Sequence, residues 1–452
     1  MKTSNRANFS KLGVILATAG SAVGLGNVWR FPYMTGHNGG AAFILLYIGC
    51  VLILGIPGMV AEFVVGRRGA SNAFRSYASL SRSKGWGAVG VLGVITAMII
   101  LGFYAVVAGW CLQYLFASFS GSVLGDPDYV ADYFKTFSTH PVKPALWALA
   151  FIAVTHVVVT RGVKGGVERA SNLLMPTLLV LLVGIVVASC LLPGAGKGIE
   201  FLFKPDFSAI TSSTILEALG QAFFSLSLGT ACLCTYASYF DRKTDLMKSA
   251  TQVALIDCVI AILAGLMIFP AAAAVGVNPD SGPSLVFITL PNVFQQAFSG
   301  IPMLGNVVAL MFYALLSMAA LTSTISLHEI ATVFFHEELH LSRRAAATIV
   351  SAICGVFAVV CALSVGAVPG LRLFGLSAMD FGDTLTSQYL LPIGSFFTCL
   401  FVGWVVPKAV VFDELTNSGT VSLRIYRLWL FAVRVVCPIA ILLIFGHQLE
   451  LF

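Results

Sequence analysis

The chain has 452 residues, of which 58% are hydrophobic and only 10% are charged, and its formal net charge is +6. Soluble domains have roughly 25% charged residues, and a mean hydropathy of +0.93 leaves too little polar surface for water. These values exclude a water-soluble multidomain protein, a disordered chain and a secreted disulfide scaffold, and they indicate an all-α polytopic membrane protein.

Eleven segments are apolar enough to cross a bilayer, for which about 20 residues are needed. In chain order they are 12–35, 41–66, 88–119, 145–160, 167–192, 213–239, 248–274, 303–335, 345–368, 381–407 and 425–446. Because backbone polar groups must be paired internally in lipid, we expect helices. The stretch 282–302 is interrupted by proline, and we expect a re-entrant or surface hairpin there.

Basic residues are distributed unevenly between the loops. Nineteen lysines and arginines fall in loops on the side of the amino terminus, and five fall on the other side. The positive-inside rule therefore predicts a cytoplasmic amino terminus, and eleven spans place the carboxyl terminus outside. Topology explains the positive net charge, so we expect no nucleic-acid partner. The ten cysteines lie in apolar runs and predict neither disulfides nor a zinc site.

Two spans have unusually small and glycine-rich centres. These are residues 20–27 in the first span and 225–231 in the sixth. Close helix packing through small residues would explain either one alone. Each begins a group of five spans, however, and matched broken helices are typical of inverted-repeat secondary transporters. The predicted divisions are 12–192 for the first repeat, 213–407 for the second and 425–446 for an additional eleventh helix.

Charged side chains within spans are functional candidates because they are costly to bury in lipid. Asp257 is the strongest, since the neighbouring residues in 255–259 are apolar and an ionised carboxylate there needs a compensating cation. Some of the other candidates, such as Glu62 or Arg434, could serve only as interhelical anchors. The other candidates are Arg30, Glu62, Glu217, Glu329, Asp380, Asp383 and Arg434.

Two further patterns suggest metal chemistry. Thr322-Ser323-Thr324 provides hydroxyl oxygens, which sodium prefers, although such hydroxyls also bond back to the preceding helical turn. His336-Glu337-Glu338-Leu339-His340 matches the HExxH signature of zinc hydrolases. A third ligand in a dry cavity would be needed, and the segment lies at the charged end of a span. An intramembrane zinc protease is therefore the less favoured alternative.

Five motifs resemble those of bacterial members of the neurotransmitter:sodium symporter family. They are GSAVGLGNVWRFP (20–32), NGGAAF (38–43), IPGMVAEFVVGR (56–67), GQAFFSLSLG (220–229) and LTSTIS (321–326). The resemblance covers about residues 6–410. It implies the leucine-transporter fold, two inverted five-helix repeats with breaks in spans one and six, and sites for an amino acid and two sodium ions at these breaks.

The resemblance also implies roles for individual residues. The first sodium site would use the Ala22 carbonyl, Asn27, Ser225, Asp257 and the substrate carboxylate. The second would use carbonyls of Gly20, Val23 and Ala319 and the hydroxyls of Thr322 and Ser323. The substrate would contact Ala22, Leu25, Gly26, Ile100, Tyr104, Phe224, Ser227, Thr230, Ser323 and Leu327. The outer gate would be Arg30 with Asp380, and the inner gate would be Arg6, Ser238, Tyr239 and Glu337.

These features predict sodium-coupled symport of a neutral, hydrophobic or aromatic L-amino acid across the plasma membrane by alternating access. Thr230 leaves space for a large substrate side chain. Asp257 stands where chloride-dependent relatives carry asparagine, so we expect no chloride requirement. The expected partners are the amino acid, sodium ions and the lipid bilayer. A same-fold transporter of another small amine or amino-acid-like solute, and a sensor that binds without transporting, are the alternatives.

Overall fold

The computed structural model describes residues 9–123, 125–276, 285–298, 302–368, 370–421 and 425–448. This part is almost entirely helical. Its one sheet is a short antiparallel hairpin of β1 (Arg372–Leu373) and β2 (Leu376–Ser377), in which Arg372 is opposite Ser377. The all-helical class predicted from composition is confirmed.

The helices follow one another closely along the chain. The first ten are α1 (Lys11–Ala22), α2 (Phe31–His37), α3 (Ala41–Cys50), α4 (Ile56–Gly69), α5 (Ala73–Ser79), α6 (Gly87–Phe119), α7 (Pro127–Ser138), α8 (Lys143–Thr160), α9 (Arg169–Cys190) and α10 (Gly196–Phe203). The remaining helices are α11 (Ser212–Ser225), α12 (Cys232–Ala237), α13 (Leu246–Val275), α14 (Leu290–Ala297), α15 (Pro302–Glu338), α16 (Arg343–Ser364), α17 (Ala378–Thr384), α18 (Leu391–Leu400), α19 (Lys408–Leu415), α20 (Tyr426–Phe431) and α21 (Cys437–Gln448).

Wider π-helical turns connect or flank several of these helices, so that some spans consist of two α-helices in one continuous run. They are Gly26–Arg30, Val51–Gly55, Val163–Glu168, Leu285–Thr289, Leu385–Leu390, Phe401–Val405 and Ala432–Val436. Single turns of 3₁₀-helix occur at Lys84–Trp86 and Phe207–Ala209. Such π-turns are often found at functional sites, and Gly26–Arg30 directly follows the break in the first span.

Nine continuous helical stretches of the described chain are long and apolar enough to cross a membrane. A tenth span results when Lys11–Ala22 and Gly26–His37, which are bent by 51°, are counted together. These ten correspond to ten of the predicted segments. The predicted span 213–239 is instead divided into α11 and α12, neither of which is long enough to cross a membrane alone.

The predicted hairpin at 282–302 lies partly outside the described residues. Within them, a π-turn and α14 follow one another; the π-turn packs against α7, and α14 packs against α13 and α15. The described part therefore contains a short helix here rather than a span.

The two broken spans lie side by side in the centre of the helix bundle. Helix α1 packs against α12, α13 and α15, and the segment Gly26–Arg30 packs against α11. Helix α6 packs along most of α15 on one side of them. Large apolar side chains such as Leu173 and Val180 on α9 are 69% and 70% exposed, as expected for a face that contacts lipid. The polar breaks are thus surrounded by apolar helices.

Candidate functional site

The break in the first span begins where α1 ends at Ala22. Val23 has extended backbone angles, φ −75° and ψ 107°, and its N–H still donates to the Ala19 carbonyl. The next residue, Gly24, has no room for a side chain: a Cβ would clash with the Ser323 hydroxyl and would lie 3.0 Å from the Tyr104 hydroxyl. The Leu25 N–H donates to that same hydroxyl at 3.0 Å. The break therefore brings free backbone groups against α6.

The break in the sixth span covers the residues between α11 and α12. Ser227, Gly229 and Ala231 all have positive φ, at 54°, 84° and 58°, which stops the helix. The buried Glu62 carboxylate on α4 accepts hydrogen bonds from the backbone N–H of Gly229 at 2.8 Å and of Cys234 at 3.3 Å. Glu62 thus stabilises the broken segment by pairing amides that the helix leaves free.

The Asp257 carboxylate on α13 lies in a buried cluster next to both breaks. The Tyr47 hydroxyl donates to it at 2.6 Å, the Asn27 amide at 2.7 Å and the Ser225 hydroxyl at 2.9 Å. All four side chains are at most 2% exposed. The three side chains expected to bind the first sodium ion are therefore in direct contact, and Ala22 lines the cavity beside them.

Four of the five residues expected at the second sodium site also lie together. The Thr322 hydroxyl donates to the Ala319 carbonyl at 2.9 Å and lies 3.3 Å from the Val23 carbonyl. A Cβ at Gly20 would lie 3.4 Å from the Thr322 Cβ. Ser323, the next residue of α15, lines the cavity instead. This group of oxygens joins the first break to α15.

A cavity lies between the two breaks and is flanked by α6 and α15. Nine of the ten residues expected to contact the substrate line it, and Leu25 touches it through its hydrogen bond to Tyr104. The nine are Ala22, Gly26, Ile100, Tyr104, Phe224, Ser227, Thr230, Ser323 and Leu327. The cavity therefore has an apolar wall from α6 and α15 and a polar side formed by the breaks.

Six further residues line the same cavity and were not predicted as substrate contacts. One of them, Ser225, was predicted at the first sodium site, and the other five are Ser21, Gly24, Cys232, Ser326 and Leu391. Helical periodicity could have indicated two of them, because Ser326 lies one turn after Ser323 and Ser21 lies in the last turn of α1. Leu391 belongs to α18, and no motif in the sequence placed that helix next to the breaks.

The predicted outer gate is arranged differently from the expectation. The Arg30 guanidinium lies 4.4 Å from the centre of the Phe224 ring. Asp380 instead accepts a hydrogen bond from the Ser377 hydroxyl at 2.7 Å. Among the described residues, no ion pair joins Arg30 to Asp380. Asp383, one helical turn after Asp380, is a second acid close enough to interact electrostatically with Arg30.

The predicted inner gate can be followed only in part, because Arg6 lies outside the described residues. The Tyr239 hydroxyl donates to Glu329 at 2.8 Å, and both side chains are buried. The Ser238 hydroxyl donates to the Thr235 carbonyl at 2.6 Å. The first contact joins the end of the sixth span to α15, and the second stays within the sixth span.

Glu337, the remaining member of the predicted inner gate, is also the acid of the HExxH stretch. It accepts hydrogen bonds from the Ser71 hydroxyl at 2.7 Å and the Asn72 N–H at 2.8 Å, which ties α15 to the start of α5. Within the described residues, no group of three or more His, Cys, Asp or Glu side chains could hold a metal ion. The stretch therefore has a structural explanation.

Comparison with known proteins identifies the family. A sequence profile of the Sodium:neurotransmitter symporter family matches residues 6–125 and 139–452. The sodium-dependent transporter YhdH of Bacillus subtilis is 36% identical, and the match covers 96% of each chain. A sodium-dependent transporter of Haemophilus influenzae is 34% identical, and 97% of each chain is covered.

A solved structure is similar over almost the whole chain. The crystal structure of MhsT in complex with L-phenylalanine matches with a TM-score of 0.88 and 40% sequence identity, covering 98% of this chain and 99% of that one. The relatives are transporters, so the enzyme alternative is excluded. With its broken spans, its central cavity and these matches, the chain is a multi-pass membrane transporter that has the leucine-transporter fold and belongs to the sodium:neurotransmitter symporter family.

Proposed function

We propose that this protein couples sodium entry to the uptake of a neutral, hydrophobic or aromatic L-amino acid by alternating access. The single observation that carries the proposal is the cavity between the two breaks, which has one apolar wall and one wall of backbone groups and hydroxyls. We place the protein in the plasma membrane with its amino terminus in the cytoplasm, following the distribution of basic residues. The predicted repeats 12–192 and 213–407 would each contribute one broken span to the site.

The substrate backbone has a suitable position at the first break. The Tyr104 hydroxyl accepts a hydrogen bond from the Leu25 N–H and keeps its own proton for a carboxylate. The π-turn that begins at Gly26 and continues into α2 directs its positive end towards the same place. Ile100, Tyr104 and Leu327 would then surround the substrate side chain. That MhsT is found with L-phenylalanine supports an apolar substrate here.

Sodium would be bound as a co-transported ion at the two oxygen clusters. In the first, Asn27, Ser225 and Asp257 would be joined by the Ala22 carbonyl and the substrate carboxylate, so that ion and amino acid bind together. In the second, carbonyls at Gly20, Val23 and Ala319 would be joined by Thr322 and Ser323. Oxygen atoms of these types are the ligands that a hard cation prefers. Sodium binding would be coupled to amino-acid transport because each oxygen cluster contains residues from a broken span and from a neighbouring helix.

Ligand screening tests this proposal. A thermal-shift screen of the twenty amino acids on the purified protein should give stabilisation by several apolar amino acids in sodium and by none in potassium or choline. Several should compete, since a hydrophobic pocket discriminates one methylene by only about 1–3 kcal/mol. Selective binding of glycine, a charged amino acid or a non-amino-acid solute would contradict the proposed substrate class. Binding without flux in proteoliposomes would indicate a sensor.

We propose that Arg30 and Asp383 close the cavity on its outer side. Arg30→Ala and Asp383→Ala should slow uptake severalfold while changing the equilibrium dissociation constant by less than about fivefold, because such a pair contributes only about 0–1 kcal/mol. Uptake rates in proteoliposomes and binding titrations of the same preparations measure the two effects. Asp380→Ala is the matched control and should behave like the wild type. If Asp380→Ala alone slowed uptake, we would conclude that Arg30 pairs with Asp380, as the family resemblance implies.

A further inference from the structure

The lining of the cavity includes three polar side chains from three different helices. They are Ser21 in the last turn of α1, Cys232 at the start of α12 and Ser326 on α15. Their exposed fractions are 5%, 1% and 2%. The Cys232 thiol interacts with both hydroxyls, so the three side chains form one group, which we call the acceptor cluster.

The position of the acceptor cluster follows from the direction of the three helices. Ser21 precedes the first break, Cys232 follows the second, and Ser326 lies one turn after Ser323. From these residues α12 leads towards Tyr239 and α15 towards Glu337, the predicted inner gate. A substrate whose carboxylate lies near the Leu25 N–H would therefore extend its side chain towards the cluster.

The hydroxyl protons of the two serines in the cluster are already donated to backbone carbonyls. The Ser21 hydroxyl donates to the Thr18 carbonyl at 2.7 Å, and the Ser326 hydroxyl donates to the Thr322 carbonyl at 3.0 Å. The Tyr236 hydroxyl in turn donates to Ser326 at 2.8 Å. Because each serine has one proton and two lone pairs, the capacity that remains on Ser21 is that of an acceptor.

The hydroxyl of Thr230, which also lines the cavity, likewise donates its proton to a backbone carbonyl. The Thr230 hydroxyl donates to the Ser227 carbonyl at 2.8 Å and accepts from the Cys232 N–H at 3.1 Å. This end of the cavity thus offers hydrogen-bond acceptors, and its nearest donor, the weak thiol of Cys232, already interacts with Ser21 and Ser326. A ligand donor could bind here without breaking a bond that the protein makes.

We propose that the acceptor cluster selects amino acids whose side chains end in an N–H or O–H donor, as indole and phenol rings do. The inference rests on the proposed function and narrows its substrate class. A phenyl ring would fill the same space but would leave the Ser21 hydroxyl oxygen with only the weak thiol of Cys232 as a donor after water is expelled, which is unfavourable. The net gain from one such hydrogen bond is modest, so we expect a preference of roughly fivefold.

The test compares pairs of ligands that differ only in the donor. L-Tryptophan is compared with β-(3-benzothienyl)-L-alanine, in which sulfur replaces the indole N–H, and L-tyrosine with L-phenylalanine. Dissociation constants are measured in sodium on the intact purified protein. We expect tryptophan and tyrosine to bind roughly fivefold more tightly than their partners. Because these comparisons use the wild type, they do not depend on the folding of any variant.

Substitutions then locate the effect. In the double variant Ser21→Ala, Ser326→Ala, both affinity ratios should fall to about one, mainly through weaker binding of the donor ligands. Ser118→Ala is the matched control, because Ser118 is buried, bonds back to the Tyr114 carbonyl and lies outside the cavity; its ratios should stay unchanged. Ratios near one in the wild type, or unchanged in the double variant, overturn the inference alone. If none of the four amino acids binds in sodium, the proposed function itself fails.

Discussion

Replacing Asp257 by alanine is expected to abolish sodium-dependent amino-acid binding while the protein still folds. The carboxylate is fully buried and accepts hydrogen bonds from Tyr47, Asn27 and Ser225 at 2.6 to 2.9 Å. A cation at this place would have it as its one fixed negative partner in the cluster. Removing one member of a buried charge pair costs about 2–5 kcal/mol, which corresponds to a loss of roughly 30-fold to several thousand-fold.

Asn27→Ala should have a similar effect for a second reason. The Asn27 side-chain oxygen accepts from the Gly24 N–H at 3.1 Å, while its amide donates to Asp257. The residue therefore holds the first break against the carboxylate as well as offering an oxygen to the ion. Sodium titrations monitored by thermal shift, with apolar amino acid present, measure both losses.

The matched control is an acid that lies outside the cavity. Asp413→Asn exchanges an acid for an amide in an ion pair with Arg68, outside the cavity, and should keep the sodium dependence. Size-exclusion profiles in the absence of ligand show whether each variant is folded. A folded Asp257→Ala protein that binds as tightly as the wild type, or a wild type that binds equally well in potassium, would rule out the first sodium site.

The spans could be predicted because lipid imposes one strong requirement on each of them. An apolar run of about 20 residues is readable without any tertiary information. The helices α7, α10 and α19 were not predicted, because they lie between spans and a search for apolar runs does not detect them. The end of α15 at Glu338 was also missed, since its last turn is polar.

The positions of the breaks could be predicted from glycine and other small residues, but the contacts that stabilise the breaks could not. Nothing in the sequence indicated that Glu62 accepts from the Gly229 N–H, because the contact joins residues 167 positions apart. The gate shows the same limit on a smaller scale. Asp380 and Asp383 are both acids near the start of one helix, and the sequence alone does not show that Asp383 is close enough to interact electrostatically with Arg30.

The sequence motifs predicted only part of the cavity lining. Residues within the quoted motifs, such as Phe224 and Ser323, were predicted and line the cavity. Cys232 and Leu391 lie outside those motifs, and their inward direction depends on how α12 and α18 are rotated. Rotation about a helix axis is set by packing against neighbours, which an apolar run does not specify in a helix buried on several sides.

The second large effect concerns chloride, and we expect wild-type uptake to be equal in sodium chloride and sodium gluconate. The family resemblance implies that chloride-dependent relatives hold the anion near the first sodium site with a tyrosine, a glutamine and hydroxyls, and that they carry asparagine where Asp257 stands. Here the Tyr47 hydroxyl donates to the Asp257 carboxylate at 2.6 Å, so a fixed negative charge already takes up this donor. The Ser225 hydroxyl donates to the same carboxylate at 2.9 Å.

A second anion in the same place would be repelled by the first. Two unit charges about 4 Å apart interact by roughly 4 kcal/mol at an effective dielectric constant of 20. Removing the carboxylate charge while adding a hydroxyl should therefore create the requirement that the wild type lacks. Ala261, buried one helical turn after Asp257 on α13, is the position for that hydroxyl.

The double variant Asp257→Asn, Ala261→Ser should accordingly lose most of its uptake in gluconate and recover it in chloride. The amide keeps the size of the carboxylate but not its charge, so chloride would supply the negative charge that balances sodium. The single variant Ala261→Ser is the matched control: it keeps the carboxylate and should stay insensitive to the anion. Strong stimulation of the wild type by chloride would contradict this account. A double variant that is folded, binds substrate and ignores chloride would show that the charge of Asp257 is not what replaces the anion.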